Sequence, residues 1–494
     1  MFFIILLFIF IVLFYNYFWK RRNFPPGPPP LPLLGNVLEF DHQEADYKTF
    51  KKWKEKYGDI YTFWASEKPF IVLCDYQLLQ DTLVKDGETY SGRICVGEFN
   101  PHVRGGEFGV VFIDGDLWKE HRRFAIQVFR NFGMGKNVME EKIQLELGYF
   151  FEDIETSLSR GENIQNLIPK IEITVASIIN QLLFGFAYHE KAEVEKFTKI
   201  KETINKHMQI ATYPGTLFAM HYPKIAPYLP ILKDRYHGFI NGYKIITEYC
   251  KEQISAHKAK RSTDAEPNDY VDAYLREAEL KGNDSTFTEV QLINALYDIF
   301  IAGQETTANT IIFSVIYALN YPEKLNKLYH ELDKVIGSDR RITLADRNSL
   351  PYCNAFIFEV QRLVNLLPQN LPHKLTKDVE IRGYKIPKNT VILPQISSVL
   401  YDEKAFPNPE TFIPERFLDS EGQPKRIDEF IPFSLGKRQC LGESLAKMEL
   451  YLIIANFFNQ YKLEPENGSP PSMKKVPGVT VQPHPFKCSL KKRY

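Results

Sequence analysis

Residues 288–320 carry apolar side chains at helical spacing for 33 residues. A helix of that length runs about 50 Å at 1.5 Å per residue, and it sets the dimension of any body built around it. Helical period extends over residues 115–335, with few prolines outside 213–230, so a mostly α fold is expected. The centre of the long run reads Ala302-Gly303-Gln304-Glu305-Thr306-Thr307. Glycine inside a helix costs about 1 kcal/mol relative to alanine, and paired threonines add strain. Such a break in local preference marks a place where function overrides propensity. Small residues leave room for a ligand against the helix, and Glu305 beside Thr306 offers an acid and an alcohol able to pass protons. The alternative is a glycine that serves packing and a threonine that bonds its own helix.

Short strands are expected at residues 60–64, 70–73, 379–386 and 390–393, where β-branched and aromatic residues stand around turns. No internal repeat or low-complexity tract is present, and the longest loop candidate is 261–269. Residues 213–230 are apolar and aromatic, yet four prolines there are expected to bar a regular helix. This segment is either a buried loop or a mobile lid over an apolar pocket that also dips into a membrane.

Residues 1–19 are apolar except for Asn16, and Lys20, Arg21 and Arg22 follow at once. As a helix, 19 residues span about 28 Å, close to a bilayer core. No positive region precedes the run and no small-residue cleavage site follows, which argues against a secretion signal. Basic residues after a first span keep that side cytosolic. A single-pass anchor in the endoplasmic reticulum membrane is expected at 1–19. A basic, proline-rich linker at 20–35 is expected to act as a stiff extended spacer, with the cytosolic body at 36–494. Lys+Arg and Asp+Glu are both 61, so no basic excess points to nucleic acid. Cysteines at 74, 95, 250, 353, 440 and 488 form no C-x-x-C pair, which excludes a disulfide framework and a zinc cluster and fits a reducing compartment.

One of these cysteines has unusual company. Cys440 lies in Phe433-Ser-Leu-Gly436-Lys-Arg438-Gln-Cys440-Leu-Gly442, just before an amphipathic run. A helix N-terminus and the neighbours Lys437 and Arg438 are expected to lower the thiol pKa and favour the metal-ligating thiolate. Gly436 and Gly442 let the backbone turn and approach a flat group closely. An ordinary half-buried cysteine is the alternative for the thiol alone. The whole run fits F-x-x-G-x-R-x-C-x-G without a gap, and this resembles the haem-binding signature of the cytochrome P450 family.

The resemblance covers nearly the whole chain. Residues 130–136, 269–275 and 406–412 are similar to microsomal members that oxidise drugs, fatty acids and steroids. It implies a mostly α fold with a small β region: a long central helix across the haem, a helix-rich body and minor antiparallel sheets. Cys440 would be the axial ligand of haem b iron, in a loop shaped by Phe433, Gly436, Arg438 and Gly442. Ala302 and Gly303 would border the haem, and Glu305 and Thr306 would deliver protons. Trp118 and Arg122 stand one helical turn apart, facing one way, and the family uses this W-x-x-x-R for a haem propionate. Arg93, His373 and Arg438 match further propionate positions. Glu359, Arg362 and Arg416 match a buried structural ion network.

The implied activity is a monooxygenase reaction. One oxygen atom of O2 enters an apolar substrate by hydroxylation, epoxidation or dealkylation of a xenobiotic, fatty acid or steroid. Electrons come from NADPH through NADPH–cytochrome P450 reductase, with cytochrome b5 as a second donor. Lys119, Arg123, Lys136 and Lys437 either form a basic face for an acidic reductase surface or are solvated charges. The substrate pocket is expected around Ala302, the 110s, 213–230, 366–370 and 478–480. The chain departs from the family mainly at 94–107 and 205–235, where members differ in substrate. A haem-thiolate isomerase or dehydratase and a non-turnover haem sensor are the rival activities, and neither needs the Glu305–Thr306 pair.

Overall fold

The computed structural model describes residues 1–40, 47–94, 100–133, 137–260, 266–282 and 284–494. Its helices begin with α1 (Phe2–Tyr17), α2 (Lys48–Tyr57), α3 (Tyr76–Leu79), α4 (Gly115–Asn131) and α5 (Asn137–Ser159). They continue with α6 (Ile168–Phe184), α7 (Lys191–Ala211), α8 (Pro214–His221), α9 (Pro230–Lys260) and α10 (Tyr270–Lys281). The C-terminal half adds α11 (Glu289–Asn320), α12 (Pro322–Val335), α13 (Pro351–Val364), α14 (Ile396–Leu400) and α15 (Glu443–Gln460).

The long apolar run is α11. Thr288 caps its start by accepting from the Gln291 amide, and Pro322 opens the next helix just beyond its end. α6, α9, α13 and α15 pack around it. Among the described residues, two helices are long and apolar enough to cross a membrane, and burial separates them: the apolar window of α11 is 78% buried inside the protein, whereas that of α1 is 6% buried. Burying side chains such as Leu292, Phe300 and Ile312 contributes roughly 1.5–3 kcal/mol each, which makes α11 the axis of the core.

The first sheet has the order β1 (Ile60–Ala65), β2 (Lys68–Leu73), β8 (Val391–Pro394), β5 (His373–Lys374), β3 (Gly92–Arg93). β2 and β8 run parallel and the other neighbours antiparallel, with Arg93 directly opposite His373. β6 (Val379–Ile381) and β7 (Tyr384–Ile386) form a hairpin. β4 (Ile164–Gln165), β12 (Cys488–Lys492) and β9 (Tyr461–Pro465) form a third sheet, and β10 (Lys475–Val476) pairs with β11 (Gln482–Pro483).

The proline-rich stretch is no free-standing spacer. The Thr62 amide donates to the Pro26 carbonyl at 2.9 Å, and the Asn36 amide to the Trp64 carbonyl at 2.7 Å. A Cβ on Gly27 would lie 1.8 Å from the Thr62 carbonyl oxygen, so only glycine fits there. Arg21 donates to the Gly27 carbonyl at 2.6 Å, Lys20 pairs with Glu67 at 2.9 Å, and the Asn16 amide donates to the Pro30 carbonyl. Prolines lack an amide hydrogen but keep a carbonyl, so they can still lie along a sheet edge as acceptors.

Residues 213–230 also depart from expectation, because they do form helix. Pro214 opens α8, Pro227 lies in the first turn of a short 3-10 helix (Ala226–Tyr228), and Pro230 opens α9. Proline is tolerated in a first turn, where its missing donor is unused anyway. Ile225, just before the 3-10 helix, and Tyr228, at its end, present exposed apolar side chains.

Candidate functional site

The Cys440 loop is closed by its own backbone. The Cys440 amide donates to the Phe433 carbonyl at 3.0 Å, and a 3-10 turn (Gly436–Arg438) lies between them. Gly436 has φ +72°, and a Cβ there would lie 1.9 Å from the Leu83 carbonyl oxygen. Any other residue would push the loop off the body. Gly442 is the N-cap of α15; its φ of −90° suits any residue, and a Cβ would meet no atom of the chain. Packing within the protein therefore does not require glycine at 442.

Cys440 is exposed, whereas Cys74, Cys250, Cys353 and Cys488 are buried. Protein atoms still crowd its thiol, and that desolvation raises its pKa; the Gly442 amide and the Arg122 charge offset it only in part. The expected lowering by Lys437 and Arg438 fails because both point elsewhere. Lys437 pairs with Glu88 at 2.6 Å, and Arg438 donates to the Ser91 and Ile113 carbonyls at 2.7 Å each. A coordinating metal ion deprotonates a thiol outright, so ligation does not depend on that lowering.

Above this loop lies a cluster of unmatched cations. The Arg438 guanidinium stacks 3.6 Å from the Trp118 ring, and Arg122 lies 5.9 Å from the same ring. The β3–β5 register brings Arg93 and His373 into the group. Burial and the repulsion of Arg122 hold the Arg93 pKa down to about 9. Burial, then the repulsion of Arg93, opposed by Asp114 and aided least by Arg122, bring Arg438 down to about 8. Arg93 Nε, Trp118 Nε1 and Arg438 Nη1 are buried with no partner. Among the described residues no carboxylate forms an ion pair with these three arginines. Buried donors of one sign left open in this way fit a dianionic ligand. His373 is buried as well, and its Nδ1 donates to the Tyr90 carbonyl at 2.6 Å.

On α11, Ala302 is exposed, and Gly303 and Thr306 are half-buried. The Thr306 hydroxyl donates to the Ala302 carbonyl at 2.8 Å. Gly303 answers to packing: a Cβ there would lie 2.7 Å from Ile179 Cδ1 on α6. Glu305 turns away from Thr306. It is fully buried and paired with Lys201 of α7, which is also 3.4 Å from Glu172 of α6. Thr480 and Gln482 donate to its other oxygen at 3.4 and 3.3 Å. Burial works against the Lys201 charge, but Glu305 and Glu172 outweigh it and hold its pKa above the ordinary value. Burial, opposed by Lys201 and aided by Glu305, raises that of Glu172.

Two further ion networks frame the site. Asp298 of α11 pairs with Arg104 at 2.6 Å and accepts from the Val110 and Val111 amides at 2.8 and 2.9 Å. This ties residues 100–111 to the central helix. Glu359 and Arg362 pair at 2.8 Å, Arg416 joins Glu359 at 3.0 Å, and Glu359 and Arg362 are fully buried. On the surface, Lys119 and Lys437 share Glu88 at 3.4 and 2.6 Å, so that face is partly neutralised. Arg123 is exposed. Lys136 lies outside the described residues.

Lys201, Glu172, Arg104, Asp298 and the buried Glu449 of α15 were not picked out by motif. A signal for Lys201 exists: it falls in the apolar stripe of Phe197, Ile204 and Met208, where an unpaired charge cannot stay.

A family model described as Cytochrome P450 matches residues 25–490. The chain belongs to the cytochrome P450 family. It is 36% identical over 452 residues to cytochrome P450 2C16 of Oryctolagus cuniculus, covering 90% of each chain. Over 449 residues it is 36% identical to cytochrome P450 2H1 of Gallus gallus, covering 90% of this chain and 88% of the relative. Over 450 residues it is 35% identical to cytochrome P450 2C29 of Mus musculus, covering 90% and 89%. This P450 is a haem-thiolate monooxygenase that inserts one oxygen atom from O2 into an apolar small molecule. It uses haem b and NADPH-derived electrons that arrive through a redox partner. α1 fits an N-terminal anchor in the endoplasmic reticulum membrane.

Proposed function

We propose that Cys440 is the axial thiolate of the haem and that Arg93, Trp118, Arg122, His373 and Arg438 hold its propionates. The observation that carries this is the set of buried, unpartnered donors on Arg93, Trp118 and Arg438, on the same side as the one exposed cysteine thiol among the described residues. Phe433, Gly436 and Gly442 shape the loop, and Ala302 and Gly303 belong to the wall on α11. When bound, the haem supplies oxygen activation and transfer into a C–H bond or alkene, and an axial thiolate favours O–O cleavage.

The protein's part is to bind, orient and deliver protons. Glu305 holds the acid and Thr306 the hydroxyl. Lys201 keeps the Glu305 carboxylate away from Thr306, and its distance of 3.4 Å to Glu172 gives it a second carboxylate to turn to. When Glu305 rotates towards Thr306, Lys201 stays paired with Glu172. Protons then enter from the α6–α7 side rather than through the substrate pocket.

The substrate is a xenobiotic, steroid or fatty acid held among Ala302, the 110s, 213–230, 366–370 and 478–480. Lys20, Arg21 and Arg22 keep the body on the cytosolic side of the endoplasmic reticulum. Residues 1–19 are the anchor, 20–35 the basic and proline-rich linker and 36–494 the catalytic domain. NADPH–cytochrome P450 reductase, with cytochrome b5 as a second donor, docks on the thiolate side at Lys119, Arg123 and Lys437. The test is a reduced, CO-bound absorption spectrum of the wild type and Cys440→Ala. A thiolate-type band in the wild type, lost in Cys440→Ala, is expected. A band retained in the variant would remove Cys440 from the axial position.

A further inference from the structure

Residues 475–483 form the β10–β11 hairpin, and one lysine ties it down. Lys475 of β10 donates to the Leu363 and Val364 carbonyls at 2.9 and 2.6 Å. These are the last residues of α13, whose end carbonyls have no partner within the helix. A cation at a helix C-terminus is favoured by the aligned peptide dipoles. The lysine stem is half-buried and the ammonium lies deeper. Burial and the repulsion of Arg362 bring its pKa down to about 7. Among the described residues it has no carboxylate partner, so its bonds to the two carbonyls are what it contributes.

Beyond β10 the chain makes five more ties. The Val479 amide donates to the Met208 carbonyl of α7 at 3.1 Å, and the Val481 amide to the Leu366 carbonyl at 3.0 Å. Thr480 and Gln482 reach Glu305 on α11, and Gln209 of α7 donates to Gln482 at 2.7 Å. One short hairpin thus bridges α7, α11 and the loop after α13. We infer that Lys475 is a positioning residue for substrate oxidation, fixing this hairpin so that the 366–370 and 478–480 walls and the Glu305 carboxylate keep one mutual arrangement. The inference rests on the proposed reading that those two segments line the substrate pocket.

The test uses the full-length holoenzyme with Lys475→Met and Lys475→Arg. Amide hydrogen exchange at Val479 and Val481 and the affinity for 4-phenylimidazole, an apolar azole that binds haem iron from within the pocket, are both read. Lys475→Met should exchange at these two amides roughly tenfold faster and bind the azole roughly fivefold more weakly, with an unchanged CO-bound spectrum. Lys475→Arg, which keeps the donors, should restore most of both. Tyr401→Phe removes the other donor to the Leu363 carbonyl (2.7 Å) without touching the hairpin and should leave both values alone. Unchanged exchange in Lys475→Met overturns the inference. Faster exchange with unchanged azole affinity also overturns it, and places the fault in the pocket reading rather than in the tether. If Lys475→Met accumulates no holoenzyme, Lys475→Gln, which keeps a single donor group, carries the same comparison.

Discussion

Lys201 of α7 grips Glu305 of α11 inside the protein, and the acid beside Thr306 therefore faces away from it. Removing one partner of such a pair leaves a buried, unpaired charge, which typically costs about 3–5 kcal/mol. Lys201→Met should lower stability by about that amount, and adding Glu305→Gln should recover most of the loss. Thermal melts of the four proteins of this cycle, with NADPH consumption per product formed, measure it. Additive losses would show that the pair has no energetic link.

Arg438→Leu deletes a guanidinium that carries an open buried donor and lies beside Arg93 and Arg122. A charge-assisted hydrogen bond is worth about 1.5–3 kcal/mol, so haem should leave roughly 10- to 100-fold faster. Haem transfer to apomyoglobin reads this directly. In the haem-free protein the same substitution should raise the melting temperature, because it relieves repulsion among buried cations.

Asp298→Ala should free residues 100–111 from α11. It removes the carboxylate that pairs with Arg104 and that accepts from two backbone amides. A loss of about 3 kcal/mol is expected in a thermal melt. Hydrogen exchange should rise at Val110 and Val111 and stay level in α12.

Glu449 is fully buried on α15, and burial lifts its carboxyl from the ordinary 4.5 to about 8, with Thr307 opposing weakly. Between those values the unfolded chain releases a proton that the folded chain keeps. Wild-type stability, measured against Glu449→Gln, should therefore be greatest below about pH 5 and fall by a few kcal/mol towards pH 8. Melting temperatures of both proteins from pH 5 to 8 test it; parallel curves would show an ionised Glu449 throughout.

Much of this was readable from residue order. The 33-residue run became α11, and the strands expected at 60–64, 70–73, 379–386 and 390–393 appear within a residue or two. Each depends on local pattern, which a sequence displays. The proline segments differ from expectation for a local reason too: proline forbids a helix interior but not a first turn, and it keeps its carbonyl for a sheet edge. The thiol environment of Cys440 failed differently. Neighbours in sequence were assumed to be neighbours in space, yet Lys437 and Arg438 turn outward and across to other partners. The Lys201–Glu305 and Arg104–Asp298 pairs join residues 104 and 194 positions apart, and no spacing rule announces them.

The docked proline ribbon also decides where this enzyme can be cut. Removing the membrane helix by cleavage between Arg21 and Arg22 would leave the 26–36 ribbon lying on β1. Cleavage after Gly35 would peel it off and leave the Thr62 and Ser66 amides, which now donate to the Pro26 and Leu34 carbonyls, without partners. A bared strand edge invites pairing between molecules, so the shorter soluble form should aggregate where the longer one stays dispersed.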